Sequence, residues 1–228
     1  MKLSDRVKRY ESVFDQRAVI RTPLMIRVDG KSFSTLTRKC NKPFDDDLAS
    51  AMVKSAVDVA KNLTGFKAAY VQSDEVTFCI TDYDTINTQG YFDYRINKIV
   101  SVTASYMTAY FNWYSTLNNF AMFDCRAFSV PISDVSNVFL WRAKDWFRNS
   151  IQMYARSFFS NKELLGKNHG DIHEMLYSIG KNWSEDLTPR QKNGTFILNN
   201  KGVYVITSII EPYYDDISSI IQPLIKRC

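Results

Sequence analysis

Ala68-Ala69-Tyr70-Val71-Gln72-Ser73-Asp74-Glu75-Val76-Thr77-Phe78-Cys79-Ile80-Thr81 is the stretch on which the fold turns. Two runs rich in β-branched and aromatic residues, Ala68–Gln72 and Val76–Thr81, flank a polar triplet, which predicts two short strands joined by a tight hairpin at Ser73-Asp74-Glu75. Upstream, Leu24-Met25-Ile26-Arg27-Val28-Asp29 reads as a buried strand, ended by Gly30. Between them Asp45-Asp46-Asp47 open a helix, because acids suit the positive end of the helix dipole. Leu48, Met52, Ala56, Val59 with Ala60, and Leu63 then recur at helical spacing until Gly65. Downstream, a second long helix is predicted over 91–115, with Ile96, Ile99, Val100, Thr103, Met107 and Tyr110 on one face. A strand from Ala121 to Val130 follows and stops at Pro131.

The order is strand–helix–strand–strand–helix–strand, the split arrangement of a ferredoxin-like α+β fold with four antiparallel strands and two helices on one face. Beyond residue 132 the pattern changes. Asp134 is placed to cap a long helix running to Phe159, a further helix fits 171–180, and Thr195–Leu198 with Val203–Ile209 predict a hairpin across Asn199-Asn200-Lys201-Gly202. The expected organisation is a core over 1–132 and a mainly helical region over 133–228, with a small hairpin, packed on it as one unit.

The 228 residues are 45% apolar and 23% charged, which excludes a disordered or collagen-like chain. No apolar run approaches the roughly 20 residues of a membrane helix. Met1-Lys2-Leu3-Ser4-Asp5-Arg6 lacks the apolar stretch of a signal peptide, so a soluble cytoplasmic protein is expected. Cys40, Cys79, Cys125 and Cys228 are scattered and read as reduced thiols. His169 and His173 stand four apart, but with only two histidines and no nearby cysteine they are read as surface or RNA-facing groups rather than a zinc pair. A net charge of +5 permits a polyanionic partner such as RNA without requiring one. Aromatic residues, 14% of the chain, fall mostly at helix or strand periodicity, and Trp141, Trp146 and Trp183 are assigned to the core, with base stacking as the alternative.

In the expected topology the first strand is central, so Asp29 at its end meets Asp74 and Glu75 at the hairpin turn. Carboxylates clustered on a rigid sheet are what Mg²⁺ needs, and a pair of such ions about 4 Å apart activates an attacking oxygen and stabilises a leaving one. Ordinary turn chemistry by two aspartates is the alternative. Arg27 precedes Asp29 by two and shares its face, Lys42 precedes a helix whose N-terminus suits phosphate, and Arg95 and Lys98 are helical neighbours. Cations converging beside the carboxylates suit a triphosphate, although each one alone is also an ordinary surface charge.

Arg27-Val28-Asp29-Gly30-Lys31-Ser32-Phe33, Lys42-Pro43-Phe44-Asp45, Tyr70-Val71-Gln72-Ser73-Asp74-Glu75, Asn97-Lys98-Ile99-Val100-Ser101, Phe123-Asp124-Cys125-Arg126 and Trp141-Arg142 stand in the order and spacing of the tRNA-His guanylyltransferase superfamily, which this chain resembles over residues 5–195. The resemblance implies a polymerase-palm core and 3′→5′ nucleotidyl transfer to the 5′ end of RNA. It implies two Mg²⁺ ions held by Asp29, the Gly30 carbonyl and Asp74, with Glu75 assisting. It implies nucleotide or phosphate contacts from Arg27, Lys31, Ser32, Phe33, Lys42, Ser73, Arg95, Lys98 and Asn149, and Asp45 holding the activation-site loop. Where the guanylyltransferases proper carry His-Ile-Asn-Asn after Trp-Arg, this chain reads Ala143-Lys144-Asp145-Trp146-Phe147-Arg148-Asn149-Ser150, and Ser34 replaces a histidine. Together with His173-Glu174-Met175-Leu176, Gly180-Lys181-Asn182-Trp183 and Lys192-Asn193-Gly194, this is similar to the guanylyltransferase-like branch. That branch implies template-dependent repair of truncated tRNA 5′ ends, ATP and other NTPs as substrates, and a homotetramer. Addition of a single 5′ G is the alternative within the superfamily. A nucleotide cyclase is disfavoured by Ser-Asp-Glu at the hairpin, and a non-catalytic RNA-binding module is separated from an enzyme by Mg²⁺ dependence.

Overall fold

Alternating apolar residues build one antiparallel sheet with a different helical layer on each face. The structure is a computed structural model describing residues 1–226. In chain order its elements are α1 (Leu3–Ser12), β1 (Leu24–Gly30), α2 (Phe33–Leu36), α3 (Asp46–Asn62), β2 (Phe66–Gln72), β3 (Glu75–Ile80), α4 (Ile96–Tyr114), β4 (Phe123–Ser129) and α5 (Val135–Ala155). There follow α6 (Asn161–Leu164), α7 (His169–Ser178), α8 (Trp183–Asp186), α9 (Pro189–Asn193), β5 (Thr195–Asn200), β6 (Val203–Thr207) and α10 (Tyr214–Ile225). The strands lie in the order β4-β1-β3-β2-β5-β6, each pair antiparallel.

Successive strand residues point to opposite faces, which sorts the core. Leu24, Ile26 and Val28 with Val76, Phe78 and Ile80 pack on Met52, Ala56 and Val59 of α3 and on Ile99, Met107 and Phe111 of α4. Met25, Cys79, Tyr70 and Phe196 pack the other way, on Val135, Phe139 and Ala143 of α5 and on Ile217, Ile221 and Ile225 of α10. Each large side chain so enclosed contributes about 1.5–3 kcal/mol. The end of α5 forms a third cluster with α7 and α8 through Ile151, Tyr154, Ile172, Leu176 and Trp183. The fold is thus mixed, with helices on both sides of an antiparallel sheet.

The elements expected between 24 and 130 are present, with shifted ends. The second long helix starts at Ile96 because Phe92 and Asp93 take left-handed backbone angles, φ 47° and 52°, within a short 3-10 turn. Asp134 occupies the N-cap position of α5, but its side chain caps nothing and instead accepts from the Asn137 amide at 3.0 Å. The helix ends at Ala155, short of Phe159. The C-terminal hairpin turns at Lys201-Gly202, both with positive φ, and β5 pairs with β2 so that the hairpin extends the main sheet. β2 has its outer edge free once β3 is paired, and an unpaired edge accepts a strand. The C-terminal α10, with apolar residues at 217, 221 and 225, was not anticipated from the sequence pattern.

Trp146 and Trp183 are buried, whereas Trp141 is 52% exposed, which corrects its assignment to the core. Cys40, Cys79 and Cys125 are free thiols, and Cys228 lies outside the described residues. The His173 ring rests against Trp183, and among the described residues no three or more His, Cys, Asp or Glu side chains group as a metal cluster. No described helix is long and apolar enough to cross a membrane.

Candidate active site

At the end of β1, Asp29 lies opposite Glu75 of β3 on one side and Asp124 of β4 on the other. The Gly30 amide donates to the Asp74 carbonyl at 3.0 Å, tying the strand end to the hairpin turn. The two-residue turn sets Ser73 at φ +46°, a left-handed conformation that re-aims the chain into β3. Gly30 has a steric reason: a Cβ there would stand 2.2 Å from the Phe33 ring. That ring cannot withdraw, because Phe111 and Phe123 pack on it at 5.4 and 5.2 Å.

The carboxylates are poorly compensated. The Asp29 carboxylate makes no hydrogen bond or ion pair to any described residue, although its backbone lies in the ladder between β3 and β4. Burial pushes the Asp74 carboxyl up; the Ser73 hydroxyl and its own amide pull it back, and the charges of Asp29 and Glu75 push it further up. Glu75 is placed differently. Its two oxygens accept from Arg142 Nε at 2.6 Å and Arg142 Nη2 at 2.8 Å, and the Gln72 amide donates to it at 3.1 Å. Burial raises this carboxyl against the pull of the guanidinium. A buried, bidentate ion pair thereby fastens α5 to the β2–β3 hairpin, and the Glu75 oxygens are turned toward it. Arg142, quoted above only as half of a motif, is the residue the sequence reading left without a role. Asp124 was also passed over, since only the β1–β4 register reveals its place beside Asp29.

Beside the carboxylate end opens a cavity of about 850 Å³, a size that suits a nucleotide. Gly30, Ser32, Phe33, Ser73 and Asp74 form its wall at the sheet, with Lys42 and Asp45 on the loop before α3. Trp146 and Met153 of α5, Arg156 just past its end and Arg190 of α9 line it from other elements. Arg156 and Arg190 carry no local sequence signal, because packing of the C-terminal helices brings them here. Asn149 lies on α5 between Trp146 and Met153 and donates to Asp145 at 3.5 Å. The Lys42 ammonium donates to the Thr37 carbonyl at 3.2 Å, and Lys31 is exposed.

Asp45 organises the loop. One oxygen accepts from the Leu48 amide and caps α3, the other accepts from the Asn41 amide, both at 2.9 Å. These two bonds hold its carboxyl below the usual value. Asp45→Ala is expected to cost about 1–2 kcal/mol, a fall of roughly 2–8 °C in thermal midpoint. Asp45→Asn, which keeps one acceptor oxygen, should fall in between, and thermal unfolding reads both. Because the folded pKa is lowered, this stabilisation is present above the unfolded value of 3.8 and is lost as pH falls through the folded one.

Arg95 and Lys98 are not brought to the carboxylates. β3 runs away from Glu75, and α4 begins at the far end, where the Tyr94 hydroxyl donates to Asp82 and Arg95 Nε pairs with Asp15 at 2.9 Å. The Lys98 ammonium sits 4.9 Å from the Phe92 ring. That end is the Leu24–Ile80 pair, about 17 Å along β1 from Asp29. The convergence of all the cations on Asp29 is therefore corrected: Arg27, Lys42 and Ser73 belong to the carboxylate end, and Arg95 and Lys98 do not.

The model of the family described as tRNAHis guanylyltransferase matches residues 4–131. A solved bacterial tRNA(His) guanylyltransferase-like protein in complex with ATP aligns with a TM-score of 0.92 at 36% identity, over 98% of this chain and 99% of that one. Another, in complex with GTP, aligns with a TM-score of 0.77 at 33% identity, over 96% and 97%. The tRNA(His) guanylyltransferase of Schizosaccharomyces pombe is 29% identical over 191 residues, 75% of this chain and 70% of that protein. The class is thereby defined: this chain is a nucleotidyltransferase. It belongs to the tRNAHis guanylyltransferase family.

Proposed function

We propose that this nucleotidyltransferase extends the 5′ end of tRNA in the 3′→5′ direction, using the tRNA itself as template, and so repairs truncated 5′ ends. The observation that carries the reading is the 850 Å³ cavity bounded by Gly30, Lys42, Ser73, Asp74 and Trp146, with Asp29 the strand neighbour of Gly30 and opposite Glu75. The order β4-β1-β3-β2, with α3 and α4 on one face, supports reading residues 1–132 as a ferredoxin-like polymerase palm and 133–228 as the region packed on it. The bacterial relatives solved with ATP and with GTP span nearly the whole chain, which supports both nucleotides as ligands.

The residues fit Mg²⁺: an uncompensated Asp29, a buried Asp74 burdened by neighbouring negative charge, and a backbone carbonyl at Gly30 are hard oxygen donors of the kind it takes. When bound there it would supply charge neutralisation for the reacting phosphates and a more acidic attacking hydroxyl. The remaining work falls to the protein. Lys42 and Ser73 hold phosphate oxygens, and Phe44 and Trp146, 6.0 Å apart, form an apolar wall for a base. In the activation step a 5′-phosphate oxygen attacks the α-phosphorus of ATP and pyrophosphate leaves. The 3′-hydroxyl of the incoming NTP then attacks the activated 5′ phosphorus and AMP leaves. Pyrophosphate is removed after the final addition. Positioning and charge stabilisation suffice, with no covalent enzyme intermediate.

Assembly as a homotetramer is part of this reading; α1 buries none of its residues and Leu3, Tyr10 and Phe14 stay exposed, which supports a contact with another copy. The test of function is 5′ extension. A 5′-monophosphorylated tRNA lacking its first nucleotide, given ATP, NTPs and Mg²⁺, is expected to gain template-matched nucleotides. Addition only of G to tRNA-His would narrow the function to the guanylyltransferase alternative. No addition, even to a 5′-triphosphorylated tRNA, would overturn it.

A further inference from the structure

Trp141 projects from α5 and is half exposed, while its helix neighbours Phe139, Ala143 and Trp146 are buried. Its ring lies against two guanidinium groups: the Arg142 Cζ is 4.6 Å and the Arg27 Cζ 5.5 Å from the ring centre. Arg142 is anchored on Glu75 by its bidentate pair, while Arg27 Nε stands 3.9 Å from the same carboxylate without a hydrogen bond, so the ring is backed by one fixed guanidinium and one held by charge alone. Arg27 stands beside Asp29 on the same sheet face, about 7 Å along β1. Across the β1–β4 pair from Arg27 is Arg126, itself exposed. The nucleotide cavity is lined by Trp146 and not by Trp141. A rigid aromatic surface, flanked by cations and one strand step from the reacting carboxylate, therefore has no occupant in the nucleotide site.

We propose that Trp141 is the stacking platform for the terminal base of the RNA strand whose 5′ phosphate reacts at Asp29, with Arg126 reaching its backbone. The inference rests on the 5′-extension reading above. Every base presents a π face and stacking is tolerant of sequence, which suits an enzyme that must accept successive 5′ ends as it adds nucleotides. The anchored Arg142 guanidinium, with Arg27 beside it, backs the ring, so little freedom is lost when a base docks.

The experiment is equilibrium binding at fixed salt, without turnover, of 5′-monophosphorylated tRNA lacking its first nucleotide. The second probe is the same RNA with an abasic 5′-terminal residue. Trp141→Ala is expected to weaken binding of the intact RNA by about 5- to 150-fold. It should leave ATP binding within about twofold and bind the abasic RNA as wild type does, and Trp141→Phe should recover most of the loss. Equal affinity of wild type and Trp141→Ala for intact RNA would overturn the proposal. So would an equal loss on both RNAs with a change in assembly mass, because the ring would then serve a contact between copies. A wild-type protein that binds tRNA and discriminates the abasic end but extends nothing refutes the polymerase reading and leaves the platform standing.

Discussion

Asp29→Ala is expected to lower nucleotidyl transfer by about three orders of magnitude, roughly 4 kcal/mol of barrier, with a thermal midpoint equal to or slightly above wild type. The two halves of this expectation have one cause. The carboxylate has no hydrogen bond or ion pair to a described residue, so the fold loses no partner when it is removed. It also stands beside a buried Asp74 that its charge disfavours, so its removal relieves repulsion. A group that costs stability and sits at the open end of the sheet is held there for chemistry. Asp74→Asn should behave alike, since the amide keeps the shape of the turn and removes a desolvated charge. Steady-state turnover and thermal unfolding of the same preparations check both. Activity above a few per cent of wild type would remove Asp29 from the metal-binding role.

Breaking the Glu75–Arg142 pair should produce the opposite signature, a large loss of stability. Glu75→Gln leaves the buried Arg142 with only the partly exposed Asp145 at 3.1 Å as its acidic partner, and Arg142→Ala leaves Glu75 with only Arg27 Nε at 3.9 Å as its cationic one. Either variant thus leaves a poorly paired buried charge, at a cost of up to about 3–5 kcal/mol. For a chain of this size that is a fall of roughly 6–20 °C in thermal midpoint. The double variant Glu75→Leu/Arg142→Met, which buries neither charge, should regain most of it, giving a coupling energy above about 1 kcal/mol in the double-mutant cycle. The pair joins β3, one residue from Asp74, to α5, which also carries Trp146 of the cavity and the exposed Trp141. Its loss therefore disturbs the hairpin turn, the cavity wall and the ring together. If Glu75→Gln unfolded within 1 °C of wild type while turnover collapsed, Glu75 would act at the chemistry and not as a clamp.

Much of the site was legible because short-range rules carry it. The polar triplet at 73–75 between two β-rich runs admits only a hairpin, and the period of two then decides which side chains share a face. With a helix on either side, the order of strands places Asp29 next to that hairpin, so the meeting of Asp29 with Asp74 followed from pattern alone. The same topology could have shown that a helix entered from the far end of β3 starts far from the turn. The spacing of Arg95 and Lys98 on one helical face hid this, since periodicity reports neighbours on a helix and not the direction in which it runs.

Trp141 and Trp146 show the other limit. Five residues apart on one helix, they point about 140° apart, one out over the sheet and one into the cavity, and composition alone assigns both to the core. Glu75 and Arg142, 67 positions apart, form an ion pair no spacing rule joins. The sequence by itself determined the hairpin, the split βαββαβ order and the carboxylates at one sheet end, because hydrophobic period and turn chemistry are local. Only the tertiary structure decided which cations reach those carboxylates, which acid is locked by an arginine, and which tryptophan stays in solvent. Those depend on the packing of α5, α9 and the C-terminal hairpin against the sheet, and contacts between distant segments are set by the shape of the folded surfaces they share.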